Sequence, residues 1–159
     1  MSKKFKKNAG MSLVEIIIAS AIVLVLSVIL ISANLIYYKT STTNIKTVQA
    51  TYLLEEGIEA VNYIKNSDWD NLNTVDTNYY LAWDGQTWQA TSTQVIIDGI
   101  FERKFFTEVV NRDANDDMAV SGTPDSNTRK LTVQVSWLDS TGTTTIKYLS
   151  SYIVKPNEE

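Results

Sequence analysis

Histidine and cysteine are absent from this chain of 159 residues, and their absence removes whole classes of chemistry. A Ser-His-Asp triad, a cysteine nucleophile and the usual zinc sites are excluded. No disulfide can hold the fold, so the compartment must be inferred from something other than cysteine spacing. Glycine is scarce at six residues, and no glycine cluster opens a helix as a phosphate-cradling loop requires. Neither enzymatic activity nor a bound cofactor is expected. Charge is missing from residues 16–36, a run of 21 interrupted only by Ser20, Ser27, Ser32 and Asn34.

At about 1.5 Å per residue that run covers about 30 Å of hydrocarbon, enough to cross a membrane once. On one side lie Lys3, Lys4, Lys6 and Lys7 with no acid; on the other only Lys39 and Lys46 follow closely. The positive-inside rule keeps residues 1–10 cytoplasmic and sends the rest across. A cleaved secretory peptide, with an apolar core of about 7 to 15 residues and a cut after it, fits less well. Between the lysines and the span stands Glu15, a carboxylate that is expensive at a membrane edge unless something neutralises it.

The basic leader, then Gly10-Met11-Ser12-Leu13-Val14-Glu15, then about 20 apolar residues together resemble the type IV prepilin family, which includes the pseudopilins of type II secretion systems. The resemblance implies that a membrane aspartyl peptidase cuts between Gly10 and Met11, that the new Met11 amine is N-methylated, and that Glu15 is the glutamate the family keeps for assembly. Met11 and Glu15 are four positions apart and share a helix face, so the cationic amine can pair with this carboxylate or with one in the next subunit. A paired buried charge costs far less than an isolated one. The alternative is that Glu15 lies in the headgroup layer of an uncleaved anchor. The likeness covers residues 1 to about 65 well, and the remainder only in element order. One departure favours a minor pilin or pseudopilin over a major subunit: Ser32 occupies the position where major pilins often carry proline. Removing the leader takes the net charge from -4 to -8, since 10 Lys and Arg then face 18 Asp and Glu.

Past Tyr37 and Tyr38 there is no proline or turn cluster before Asn66-Ser67-Asp68, while Ala50, Leu54, Ile58, Val61 and Ile64 recur at helical spacing. This predicts one continued helix, apolar over 11–36 and amphipathic over 37–66, with a polar, β-branched stretch at 40–44 that could bend. At about 80 Å it is too long for one small domain, so its first half must be buried in membrane or against copies of itself. Residues 67–159 then switch to a period of two. Trp69 and Leu72 are expected to anchor the connection. Asp84-Gly85 and Asp98-Gly99 are hairpin signals between strands at 79–83 and 87–91, and between strands at 94–97 and 100–110. Leu131, Val133, Val135 and Trp137 alternate on one strand, and a last strand runs from about 144 to 154, ended by Pro156 and an acidic tail. The fold class is α+β: a long N-terminal helix whose C-terminal half packs on an antiparallel β head, the lollipop the resemblance also implies.

Glu55, Glu56 and Glu59 could suggest acid-base or metal chemistry, but a solvated helix face, with Gly57 allowing close approach to a strand, fits better. Asp113, Asn115 and Asp117 stand at the first three spacings of a calcium loop. Met118 and Pro124 replace the glycine and glutamate that an EF-hand needs, leaving a weak metal candidate and a solvated loop, with residues 121–125 as its turn, as the preferred alternative. Tyr79, Tyr80, Trp83, Trp88 and Trp137 could form a ligand platform but more readily fill a β core. Basic pairs at Arg103-Lys104 and Arg129-Lys130 make no stripe, which argues against nucleic acid as a partner. The expected function is structural: a subunit trimmed by prepilin peptidase and added to a type IV pilus or secretion-like filament. Its partners would be membrane lipid before assembly, the inner-membrane assembly platform and other pilin subunits. Localisation would be the cytoplasmic membrane, with an exported head, and then an extracellular or periplasmic filament. An adhesive tip subunit and a plain signal-anchored β domain are the alternatives.

Overall fold

The structure is a computed structural model that describes residues 12–67, 69–72 and 78–156. The expected cut between Gly10 and Met11, the methylation of Met11 and the lysine leader lie outside the described residues, as do residues 68 and 73–77 of the connection and the end of the acidic tail.

Free of proline and with Gly57 as its one glycine, α1 runs from Leu13–Ser67 as 55 residues of uninterrupted α-helix, although much of it is β-branched Ile, Val and Thr of only modest helix propensity. The stretch at 40–44 stays helical. Its threonines cost only tenths of a kcal/mol, up to about 0.7, in helix propensity, and the Thr42 hydroxyl donates back to the Tyr38 carbonyl at 3.0 Å. The chain nevertheless divides into two compact units at this stretch, Met1–Thr42 and Thr43–Glu159. In the first unit the large apolar side chains from Leu13 to Tyr38 are between 51% and 75% exposed, on every side of the helix. By length and composition this is the one helix among the described residues able to cross a membrane, a property shared by anchors and signal sequences.

The second unit holds the rest of α1 and seven strands: β1 Tyr79–Trp83, β2 Trp88–Thr91, β3 Ile96–Ile97, β4 Phe101–Arg112, β5 Met118–Ala119, β6 Thr123–Leu138 and β7 Thr144–Val154. Every pairing is antiparallel, in the order β2-β1-β4-β6-β7, with β3 and β5 flanking β4. The architecture is α+β, as the change of period predicts. Ala50, Leu54, Gly57, Ala60, Val61 and Ile64 form the buried stripe of α1, packed in one core with Leu81, Phe101, Phe105, Leu131, Val133, Val135, Trp137 and Ile153. Trp69 and Leu72 are buried as expected, the latter closing a 3-10 turn at Asp70–Leu72. The buried Thr107 hydroxyl donates to the Leu72 carbonyl at 3.1 Å and fixes that turn to β4.

Both hairpins form at their aspartate-glycine signals. Asp98 and Gly99 take φ of 54° and 68°, the paired left-handed conformation such a turn needs. The preceding strand β3 keeps only two residues of the expected four. One expectation is corrected: Thr123, Pro124 and Asp125 belong to β6 and pair with Arg112, Asn111 and Val110, so they are not part of the turn. A register shift between Val109 and Val110 lets β6 take them in, since a bulge absorbs the mismatch that a continuous ladder could not.

Candidate functional site

At the start of α1 the Ser12 carbonyl accepts from the backbone N–H groups of Glu15 at 3.0 Å and Ile16 at 3.2 Å. Glu15 thus lies in the first turn, where a carboxylate faces the positive end of the helix dipole. Ser12 and Glu15 also have the spacing of a capping box, a local signal for where the helix begins. Farther along, the polar residues of the span turn inward on the backbone. Ser20, Ser27, Ser32 and Asn34 donate to the carbonyls of Ile17, Val23, Val28 and Leu30 at 2.8 to 2.9 Å. Bonded in this way, their donors present little unpaired polarity to an apolar surrounding, where each unmade hydrogen bond is costly.

In the second unit the contact between α1 and the sheet is built around Gly57 and Arg103. A Cβ on Gly57 would stand 2.7 Å from Val133 Cγ1 and 3.2 Å from Arg103 Cδ, so the glycine sets how closely helix and sheet approach. Arg103 is 3% exposed. It stands in the alternation Phe101, Arg103, Phe105, Thr107 that faces α1, and its Nη1 donates to Glu56 Oε2 at 2.7 Å and to the Leu53 carbonyl at 3.2 Å. The guanidinium lies 5.1 Å from the centre of the Trp88 ring, a cation–π distance. Its Nε has no hydrogen-bond partner among the described residues. Counting Arg103 only as half of a basic pair with Lys104 leaves this out; its place between Phe101 and Phe105 in a period-two pattern signals burial, while nothing in the spacing signals its partner. Of the three helix glutamates only Glu56 is engaged in this way. All three glutamates line a groove of about 510 Å³ with Gln49, Tyr52, Leu53, Asp98 and Phe101.

The loop after β4 is organised by its own backbone. Asp113 Oδ1 accepts from the N–H groups of Asn115 at 2.8 Å and Asp117 at 3.0 Å, and Asp116 takes a left-handed φ of 68°. Arg112 gathers the neighbouring acids: its Nε lies 2.7 Å from Asp125 Oδ2 and 3.6 Å from Asp116 Oδ1, while Nη1 donates to the Asp116 carbonyl. The Arg112 bond, helped by Thr128 and the Asn127 N–H, pulls the Asp125 carboxyl down to about 2. Among the described residues no three carboxylates converge on a common point.

The five aromatics part company. Trp137 is buried and meets Phe101 edge-on at 5.8 Å. Tyr79 stacks on Phe105 at the same separation, and Trp88 packs partly buried against the core. Trp83 is 54% exposed beside Trp88. Tyr80 lies on the opposite face, where its hydroxyl donates to Glu102 Oε1 at 2.9 Å. Partial burial works against ionisation of Glu102, but hydrogen bonds from Lys104, Tyr80 and Gln94 outweigh it and hold the carboxyl below its ordinary value. No shared platform results, because Trp83 and Tyr80 point to different faces of β1.

No family model, curated protein or solved structure matches this chain.

Proposed function

We propose that this chain is a minor pilin or pseudopilin, an exported structural subunit whose leader is removed after Gly10 and whose helix passes from the membrane into the core of a filament. The observation that carries this role is one α-helix with two unlike halves. Residues 13–38 are apolar and exposed on every side, whereas the stretch from Ala50 to Ile64 buries a single stripe under a sheet. An apolar helix exposed all round has no stable place in water. It must lie in lipid or among other helices, and a subunit that moves from one to the other uses the same surface twice. The inward bonding of Ser20, Ser27, Ser32 and Asn34 suits both surroundings.

Chemistry at Gly10 separates this role from that of a plain anchored domain. Produced in a bacterium with a prepilin peptidase, the full chain is expected to lose residues 1–10 and to gain one methyl group on the Met11 amine, read by intact mass. The variant Gly10→Val should stay at precursor mass, since a peptidase gripping the backbone closely leaves room only for hydrogen at that side chain. A wild-type chain that keeps its leader beside an active peptidase would return the protein to the anchored-domain class.

A further inference from the structure

A seven-residue interval singles out one position along α1. Ile17, Leu24, Ile31, Tyr38, Ile45 and Tyr52 recur at that interval, and of the seven heptad positions only this one is large and apolar in every repeat. Three residues farther on, Ser20, Ser27, Asn34 and Ser41 recur in the same way, taking in three of the four polar residues of the span. Positions separated by three, four and seven share a helix face, and a repeat sustained over about four heptads marks a helix packed lengthwise on another. A row of small residues beside a row of large ones lets two backbones approach closely in lipid.

The two halves of the helix support this separately. In the span every side is apolar and exposed, so apolarity selects no face and only the row of serine and asparagine does. In the second unit α1 buries one stripe against the sheet, yet Ile45, Val48 and Tyr52 remain 57%, 53% and 67% exposed. They take the next places of the same two rows, Ile45 and Tyr52 among the large residues and Val48 after Ser41. Apolar side chains gathered in this way outside the core mark a surface that another chain covers.

We propose that α1 pairs, parallel and in register, with α1 of a second copy along residues 17–52 while both copies stand in the membrane. The repeat itself names the occupant, since a seven-residue seam fits a helix with the same seam, and a second copy inserted in the same membrane presents it in the same direction. Asn34 holds the register. One of its amide hydrogens goes to the Leu30 carbonyl at 2.9 Å, while an amide has a second donor and an acceptor that the facing Asn34 can use. Neither row contains a charge from Ile17 to Tyr52, and the next two places fall to Glu55 and Glu59. In-register copies would set these like charges against each other, so the seam ends there. The pairing requires only that the span lies in a membrane, and depends on neither trimming at Gly10 nor entry into a filament.

The chain has no cysteine, so introduced ones report pairing without background. The full chain would be placed in membranes of a bacterium without a prepilin peptidase, where no filament contact can supply links, and treated with a membrane-permeant oxidant. With helix axes about 8 to 10 Å apart and Cα atoms about 2.3 Å from each axis, facing positions fall within disulfide reach, whereas copies of Ile29, on the far side, stand about 12 Å or more apart. Ser27→Cys and Ser41→Cys should therefore each self-link about tenfold more strongly than Ile29→Cys. Two differently tagged chains, one with Ser20→Cys and one with Ser27→Cys, should link to each other weakly, because that link needs a stagger of one heptad. Adding Asn34→Ala to Ser27→Cys should cut its self-linking about threefold. Equal linking at Ser27→Cys and Ile29→Cys, a staggered link as strong as the like pairs, no loss with Asn34→Ala, or linking only to a different protein would each overturn the proposal. If Ser27→Cys inserts poorly, Ser41→Cys, beyond the apolar run, decides against Ile29→Cys alone.

Discussion

Gly57 is the residue where helix and sheet press hardest on each other, and two opposing effects meet there. Alanine is a better helix former than glycine by about 1 kcal/mol, so on an exposed helix Gly57→Ala would stabilise. In this helix the new methyl would lie 2.7 Å from Val133 Cγ1, a fully buried side chain, and 3.2 Å from Arg103 Cδ. Overpacking of that kind costs about 1 to 3 kcal/mol, and both Val133 and Arg103 are buried. The expected net effect of Gly57→Ala is a loss of about 1 kcal/mol, the overpacking exceeding the propensity gain. It would be read as a lower melting temperature of the full chain in detergent micelles. The double variant Gly57→Ala with Val133→Ala tests the cause: it should lose less than the sum of the two single changes, because removing Val133 Cγ1 makes the space the new methyl needs. Simple additivity would mean that the glycine matters for some other reason. The role of Gly57 is legible in the sequence because a glycine within a helical stripe asks for a close neighbour. That of Arg103 is not, because its partner Glu56 lies 47 residues away and only the fold brings them together.

Among the elements, strands were easier to read than the loops that join them. Alternation marks β6 through Leu131, Val133, Val135 and Trp137, and the two aspartate-glycine pairs mark turns by backbone need. The segment from Asn111 to Asp125 is different, since its polar residues fit a turn, a metal loop or a strand end equally well. What decides is Arg112, which ties β4 to β6 through Asp125 just beyond a bulge, a pairing no spacing rule announces. This tie has a pH signature. The Asp125 carboxyl ionises near 3.8 when unfolded and near 2 when folded. A depressed folded value means that its stabilisation is complete above the unfolded value and is lost as pH falls from 3.8 towards 2. The variant Asp125→Asn should therefore melt below the wild type at neutral pH, and the gap should close across that acid window. A gap that stays constant down to the lower limit would show that the carboxylate charge contributes nothing. Above this window the Arg112 guanidinium keeps its charge, its own ionisation raised by the same bond to Asp125.

For the whole molecule the question is what Glu15 does for an apolar helix exposed on every side. Two roles are open to it, and they make different demands on the side chain. As the third helical residue after Ser12 it supports the helix start, a role that glutamine fills as well as glutamate in a capping box. As the counter-charge to a neighbour's Met11 amine in a filament core it must be ionised, and its loss leaves a buried cation unpaired at a penalty of about 3 to 5 kcal/mol. Replacing it by leucine does not separate these roles, since Glu15→Leu removes cap and charge together, although it lowers the cost of membrane insertion, which for a charged residue reaches about 3 kcal/mol near a helix centre. Glu15→Gln does separate them. Under the pairing role both variants should be trimmed and held in the membrane but strongly depleted from sheared filaments, measured against the membrane pool by immunoblot. Under the capping role Glu15→Gln should enter filaments at the wild-type level while Glu15→Leu lags. Pairing is the larger energy, because a cap contributes only about 1 kcal/mol, so depletion of both variants is the expected outcome. Recovery of Glu15→Gln at parental levels would leave Glu15 as a helix cap and remove it from assembly.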